Sequence, residues 1–203
     1  MSRYFIINKP FRVLSQFSAE KNAQPGAEKK LTLKDLFKVP ADVYPVGRLD
    51  YDSEGLLILT NDTALNKKLL DPVFGHEREY LVQVEGEISA EALQALAAGV
   101  NINVDRRIIR TAKAKATKVV AAHLVHPRTP PIRVRKNIPD SWLLLTLTEG
   151  KNRQVRKMTA AVGFPTLRLI RYRIERLTID GLAPGEMREM KKDEILKALF
   201  SKH

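Results

Sequence analysis

Short apolar or alternating runs, separated by polar stretches rich in Gly, Pro, Asn and Asp, set the rhythm of this chain. Residues 4–7 and 11–17 read as short strands around Asn8, Lys9 and Pro10. Residues 18–30 are polar and contain Gly and Pro, so they predict a loop, and 31–37 a short helix. The run GLLILT over residues 55–60 predicts a buried strand, and Asn61 and Asp62 cap a helix carrying Ala64, Leu65, Leu69 and Leu70. Residues 72–76 read as a hinge between two lobes, roughly 1–75 and 76–203. Beyond it, 78–85 alternates as a strand, and Ser89 caps a helix that ends at Gly99. Strand patterns follow over 101–104 and 108–120, then a Pro-rich basic loop over 123–137. A strand over 142–148, a helix over 152–162 closed by Gly163, a strand over 167–179 and a helix over 192–200 complete the pattern. Runs of strands with helices covering one side predict an α+β fold with a largely antiparallel sheet.

Composition narrows the class of partner. The 203 residues with 44% hydrophobic content suffice for one core or two small lobes, and neither a repeat nor a low-complexity tract is present. The net charge of +12 exceeds anything a fold requires and points to a polyanion, because each phosphate neutralised by Lys or Arg releases a condensed counterion. An anionic membrane surface is the competing partner. No segment approaches the roughly 20 apolar residues of a membrane span, and the N-terminal apolar run is too short for a signal peptide. With no cysteine there is neither a disulfide nor a thiolate metal site, which fits the cytoplasm, and thiolate attack on a pyrimidine ring is excluded.

Candidate chemistry centres on residues 47–62, where Arg48 and Asp50 stand at the mouth of the apolar run. Taken alone, Asp50 is equally a turn residue or half of a surface ion pair. Asp50, Asp52, Glu54 and Gly55 also imitate the opening of a calcium loop, but the twelfth position is Asn61 and residues 56–59 are too apolar. His123 and His126 lack a nearby carboxylate or cysteine partner, so they predict no metal site.

Five segments, in order and spacing, carry a resemblance across essentially the whole chain: 8–15 (NKPFRVLS), 47–62, 79–84 (EYLVQV), 149–158 (EGKNRQVRKM) and 167–171 (LRLIR). Together they resemble the RNA pseudouridine synthases, in the branch acting on bacterial ribosomal RNA. The resemblance implies that family's two-lobed mixed sheet, flanked by helices, with a cleft near residue 76. It implies Asp50 as the catalytic aspartate, Arg156 as the basic partner holding it ionised, Tyr80 stacked on the target uracil and Leu169 as an apolar wall. It also implies Arg48 in the space vacated by a flipped nucleotide, or on the neighbouring phosphate. Most members of the branch begin with a small S4-type RNA-binding domain; this chain starts in the catalytic part, so docking is expected to fall to its own basic surface.

The implied reaction breaks the C1′–N1 bond of a uridine, turns the base and joins C1′ to C5. No atoms are gained or lost, so no cofactor and no metal are expected. A carboxylate near C1′ either adds to the sugar or abstracts the 2′ proton, and the sequence leaves both routes open. Phosphate tracking is expected from Lys9, Arg12, Arg128, Arg133, Arg135, Lys136, Lys151 and Arg153, which share one face only if the fold gathers them. The resulting expectation is a cytoplasmic, monomeric enzyme making pseudouridine at one position of large-subunit (23S) ribosomal RNA. The alternatives are a non-catalytic ribosomal RNA-binding or ribosome assembly protein, and a basic protein on a membrane surface. The mixed charge of residues 192–200 disfavours the last.

Overall fold

A computed structural model describes residues 1–19, 29–120, 125–132 and 138–201. In chain order the elements are β1 (Tyr4–Lys9), β2 (Val13–Leu14), β3 (Leu31–Thr32), α1 (Leu33–Leu36), β4 (Tyr44–Pro45), β5 (Glu54–Thr60) and α2 (Thr63–Leu70). They continue with β6 (Arg78–Glu85), α3 (Ala90–Ala98), β7 (Asn101–Val104), β8 (Arg107–Arg110), β9 (Lys115–Val119), β10 (Asp140–Leu147) and α4 (Gln154–Ala161). The last are β11 (Thr166–Ile174), β12 (Leu177–Thr178), β13 (Met187–Met190) and α5 (Lys192–Phe200). The fold is α+β, as the pattern predicts. The chain divides into two units, Met1–Phe74 with Ile174–His203, and Gly75–Arg173.

In the first unit β1 lies antiparallel between β5 and β13, in register Tyr4↔Thr60 and Tyr4↔Met190. Every residue of β1 and β5 is buried, which is why 55–60 reads as an unbroken apolar run rather than an alternating one. Phe5, Ile7, Leu57 and Leu59 pack with Val13, Leu33, Phe37 and Val43 in one core cluster. The expected cap is in place: Asp62 accepts from the Ala64 and Leu65 amides, each at 3.0 Å, and from the Tyr4 hydroxyl at 2.7 Å.

Those bonds, the Tyr4 hydroxyl first, hold the Asp62 carboxyl below its ordinary pKa. A depressed carboxyl stabilises the fold above the unfolded-state value, and that contribution disappears as pH falls through the folded-state value. Asp62→Ala is therefore expected to cost about 1 kcal/mol at neutral pH. The difference from wild type should shrink below about pH 4, measured by urea unfolding across the range.

In the second unit β6 and β10 pair antiparallel from Arg78↔Leu147 to Glu85↔Asp140, within the order β11-β6-β10-β9. Val82, Val84, Leu143, Leu145, Leu147 and Leu169 meet Ala92 and Leu96 of α3 and Val155 and Met158 of α4 in one core. Strands β7 and β8 form a separate antiparallel hairpin.

Three expectations from the pattern shorten for local reasons. The strand over 11–17 contracts to Val13–Leu14, because Arg12 takes the left-handed conformation (φ 58°) and turns the chain. The strand over 108–120 splits, because the Thr111 and Ala114 amides donate to the carbonyls of Val100 and Ala97 at the end of α3 and leave the ladder. The strand over 167–179 stops at Ile174, before Glu175 (φ 49°) reverses the backbone. Met187–Met190 carries no apolar signal yet becomes β13, and this pairing groups 174–203 with the first unit rather than with a lobe over 76–203.

Candidate active site

Asp50 sits in the loop between β4 and β5, half-buried, with Leu49 buried before it. Three contacts fix the backbone around it. The Ser15 hydroxyl donates to the Leu49 carbonyl at 2.8 Å and accepts from the Leu49 amide at 3.1 Å. The Arg12 amide donates to the Tyr51 carbonyl at 2.9 Å, and the Ser53 amide to the Asp50 carbonyl at 3.0 Å. Gly47 (φ +70°) makes the entry turn, where a Cβ would stand 3.0 Å from Leu70 Cδ2. Arg12, in the turn between β1 and β2, and Ser15, just past β2, thus grip the residues on both sides of Asp50, a partnership between segments 8–15 and 47–62 that the sequence alone does not display.

Lys9 holds that turn from within. It is 0% exposed, and its Nζ donates to the carbonyls of Pro10 at 2.9 Å and Val13 at 2.8 Å. A lysine so placed cannot track a phosphate, and this corrects its expected role: β1 is buried along its whole length, including its polar end. Arg12 and Arg48 are exposed, the Arg12 guanidinium lying 5.6 Å from the centre of the Phe11 ring.

In the second unit, Tyr80 on β6 packs half-buried against the core that contains Leu169, Val155 and Met158. Leu169 is 6% exposed and belongs to that core. Arg156, on α4 between Val155 and Lys157, is half-buried. Arg171, within the segment 167–171, is 6% exposed and interacts with the Tyr80 side chain. Burial lowers its pKa from the ordinary arginine value, and Tyr80 opposes that shift. A buried guanidinium on a phenol is costly unless fully satisfied, and such groups concentrate at functional sites. Its only sequence signal is an arginine two residues after Leu169 in an otherwise alternating strand.

The remaining cations divide. Lys151 and Arg153 are exposed at the start of α4, with Lys151 Nζ 3.5 Å from Glu149 Oε2. Arg128 Nε donates to the Pro130 carbonyl at 2.8 Å, and the neighbouring His126 carbonyl accepts from Arg168 Nη1 at 2.9 Å. Arg133, Arg135, Lys136 and His123 lie outside the described residues. No helix among the described residues is long and apolar enough to cross a membrane.

A half-buried carboxylate on an anchored loop can serve as base or nucleophile, and a phenol beside a buried guanidinium offers a flat ring. An α+β chain carrying both, in segments spaced as these are, has a matching family model: that of RNA pseudouridylate synthase matches residues 3–161, and the chain belongs to this family of RNA-modifying enzymes. Among its relatives is the ribosomal large subunit pseudouridine synthase E of Xanthomonas axonopodis pv. citri (strain 306), 52% identical over 88% of this chain and 89% of the relative. The synthase of the same name in Vibrio parahaemolyticus serotype O3:K6 (strain RIMD 2210633) is 43% identical over 93% of this chain and 74% of the relative. A crystal structure of a pseudouridylate synthase superposes with a TM-score of 0.75 at 25% identity, covering 98% of this chain and 74% of that one. The resemblance carried by the five segments is borne out at the level of the family.

Proposed function

We propose that this enzyme converts one uridine of large-subunit ribosomal RNA to pseudouridine, with Asp50 as the catalytic group. The observation that carries the reading is the double anchoring of Asp50 through Leu49 and Tyr51, in a chain whose relatives are named for this substrate. The target nucleotide leaves its stack, since the atoms to be changed lie inside paired or stacked RNA. Asp50 then acts at the sugar, by addition at C1′ or by removal of the 2′ proton, and the C1′–N1 bond breaks. The freed uracil turns and C5 bonds to C1′; C5 loses its proton and N1 gains one, so the atom count is unchanged.

Tyr80 stacks on the uracil, and Arg171, on the neighbouring strand, orients its ring. Arg156 supplies the cation that keeps Asp50 ionised once water is excluded. Leu169 supports the pocket from the core, and Arg48 grips the flanking backbone. Arg12, Arg128, Lys151 and Arg153 meet phosphates, joined by Arg133, Arg135 and Lys136. The enzyme works as a cytoplasmic monomer on RNA that is free or already in an assembling particle.

Pseudouridine mapping by carbodiimide labelling and primer extension tests this on total ribosomal RNA. Cells lacking the protein are expected to lose one stop in large-subunit RNA, restored by wild type and not by Asp50→Asn. An unchanged map would sink the reading and favour a non-catalytic RNA-binding role.

A further inference from the structure

The β7–β8 hairpin has two unlike faces. The pairs Ile102↔Ile109 and Val104↔Arg107 alternate with Asn101↔Arg110 and Asn103↔Ile108. Ile102 is buried, and Val104 and Ile109 pack on the core of the second unit. The other face therefore carries Asn101, Asn103, Ile108 and Arg110, all exposed, with Ile108 77% exposed. At the tip, Asp105 (φ 50°) and Arg106 (φ 65°) are both left-handed, as a tight two-residue hairpin turn requires, and Arg106 and Arg107 are exposed there. An exposed β-branched residue among two side-chain amides and Arg110 is a poor solvent face.

The hairpin is held at its base. Gly99 (φ +86°) lets the end of α3 approach so closely that a Cβ would lie 2.4 Å from the Thr111 carbonyl oxygen. The Val100 amide donates to Thr111 Oγ1 at 2.9 Å. The Ala112 amide donates to Glu149 Oε1 at 2.9 Å, and the other oxygen of Glu149 pairs with Lys151. The hairpin thus extends from the same carboxylate that holds Lys151, and its 4-residue strands span about 14 Å, at about 3.4 Å per residue.

We propose that the outer face of this hairpin docks in the minor groove of an RNA helix adjoining the target nucleotide. That groove is wide and shallow and displays 2′-hydroxyls and base edges. Asn101 and Asn103 can exchange hydrogen bonds with the 2′-hydroxyls, Ile108 lies on the sugar surface, and Arg106, Arg107 and Arg110 meet the phosphate rims. Charge complementarity selects RNA over a protein partner: the tip and outer face carry one carboxylate, Asp105, against the guanidinium groups of Arg106 and Arg110, with Arg107 exposed beside the tip.

The inference rests on ribosomal RNA being the substrate, and its test reads binding independently of catalysis. The affinity of the full chain for a hairpin-containing ribosomal RNA fragment and for a single-stranded oligonucleotide is measured over a range of salt. Arg106→Gln/Arg107→Gln is expected to reduce the salt slope of duplex binding by about 1–2, since each lost phosphate contact removes about 0.9. Asn103→Ala/Ile108→Ser is expected to weaken duplex binding about tenfold without altering the slope. The control Arg3→Gln/Lys29→Gln removes the same charge from the first unit and should leave the slope intact. An unchanged slope in the arginine variant, equal losses on duplex and single strand, or an effect confined to oligomeric state by sedimentation would each overturn the proposal. If wild type made no pseudouridine, the function reading would fail while these slopes still decided the role of the hairpin.

Discussion

Asp50→Asn is expected to lower the single-turnover rate of pseudouridine formation by at least about a thousandfold, within the range that a positioned base contributes and below what a lost nucleophile costs. The amide is isosteric, so the loop does not need to rearrange, yet it can neither add to C1′ nor accept a proton. Both routes therefore predict the same loss, and RNA affinity should stay within about threefold because the interaction removed is made in the transition state. Tritium release from uridine labelled at C5, followed under single-turnover conditions, measures the rate directly. A residual rate within about tenfold of wild type would remove Asp50 from the chemistry. Because its flanks are held through backbone groups of Leu49 and Tyr51, thermal unfolding of the variant should match wild type, separating lost chemistry from lost structure.

Lys9→Met carries the second large effect, on stability. The substitution keeps an unbranched apolar stem of nearly the same volume and removes the donor to the Pro10 and Val13 carbonyls. Hydrogen bonds from a charged group contribute about 1.5–3 kcal/mol each, and the carbonyls left behind sit against a fully buried strand. A loss of about 3 kcal/mol or more follows, seen as a melting temperature roughly 6–12 °C lower for a chain of this size. The same stretch, residues 12–15, supplies the Arg12 amide and the Ser15 hydroxyl to the Asp50 loop, so the catalytic rate should fall as well. The salt slope of RNA binding separates the two roles available to Lys9. An internal brace leaves it unchanged, whereas a phosphate contact would reduce it by about 1. A variant that melted like wild type and lost salt dependence would restore Lys9 to the binding surface.

Residues with one physical task showed that task in the sequence. Asp62 and Ser89 cap helices because their side chains bond the next free amides within three residues, a relation wholly local to the chain. The helix over 192–200 and the strand over 78–85 have the bounds their periodicity predicts, since each buries one face or one run against a core. The five spaced segments that include the motif around Asp50 likewise belong to the chain itself, and together they sufficed to place it among the RNA pseudouridine synthases.

What only the tertiary structure decided was the company each residue keeps. Lys9 looks in sequence like any exposed cation beside a proline; burial on both faces of β1 turned it into an internal donor. Ser15 reads as a loop serine until it meets Leu49, 34 residues away. Arg171 acquires its partner Tyr80 only because β11 lies beside β6. Met187–Met190 becomes a strand because β1 offers it a free edge, though nothing in its own composition asks for one. Short-range bonds and periodic burial are written along the chain. Pairings between distant segments depend on which edges and faces the rest of the fold leaves open, and those are settled only when the chain closes on itself.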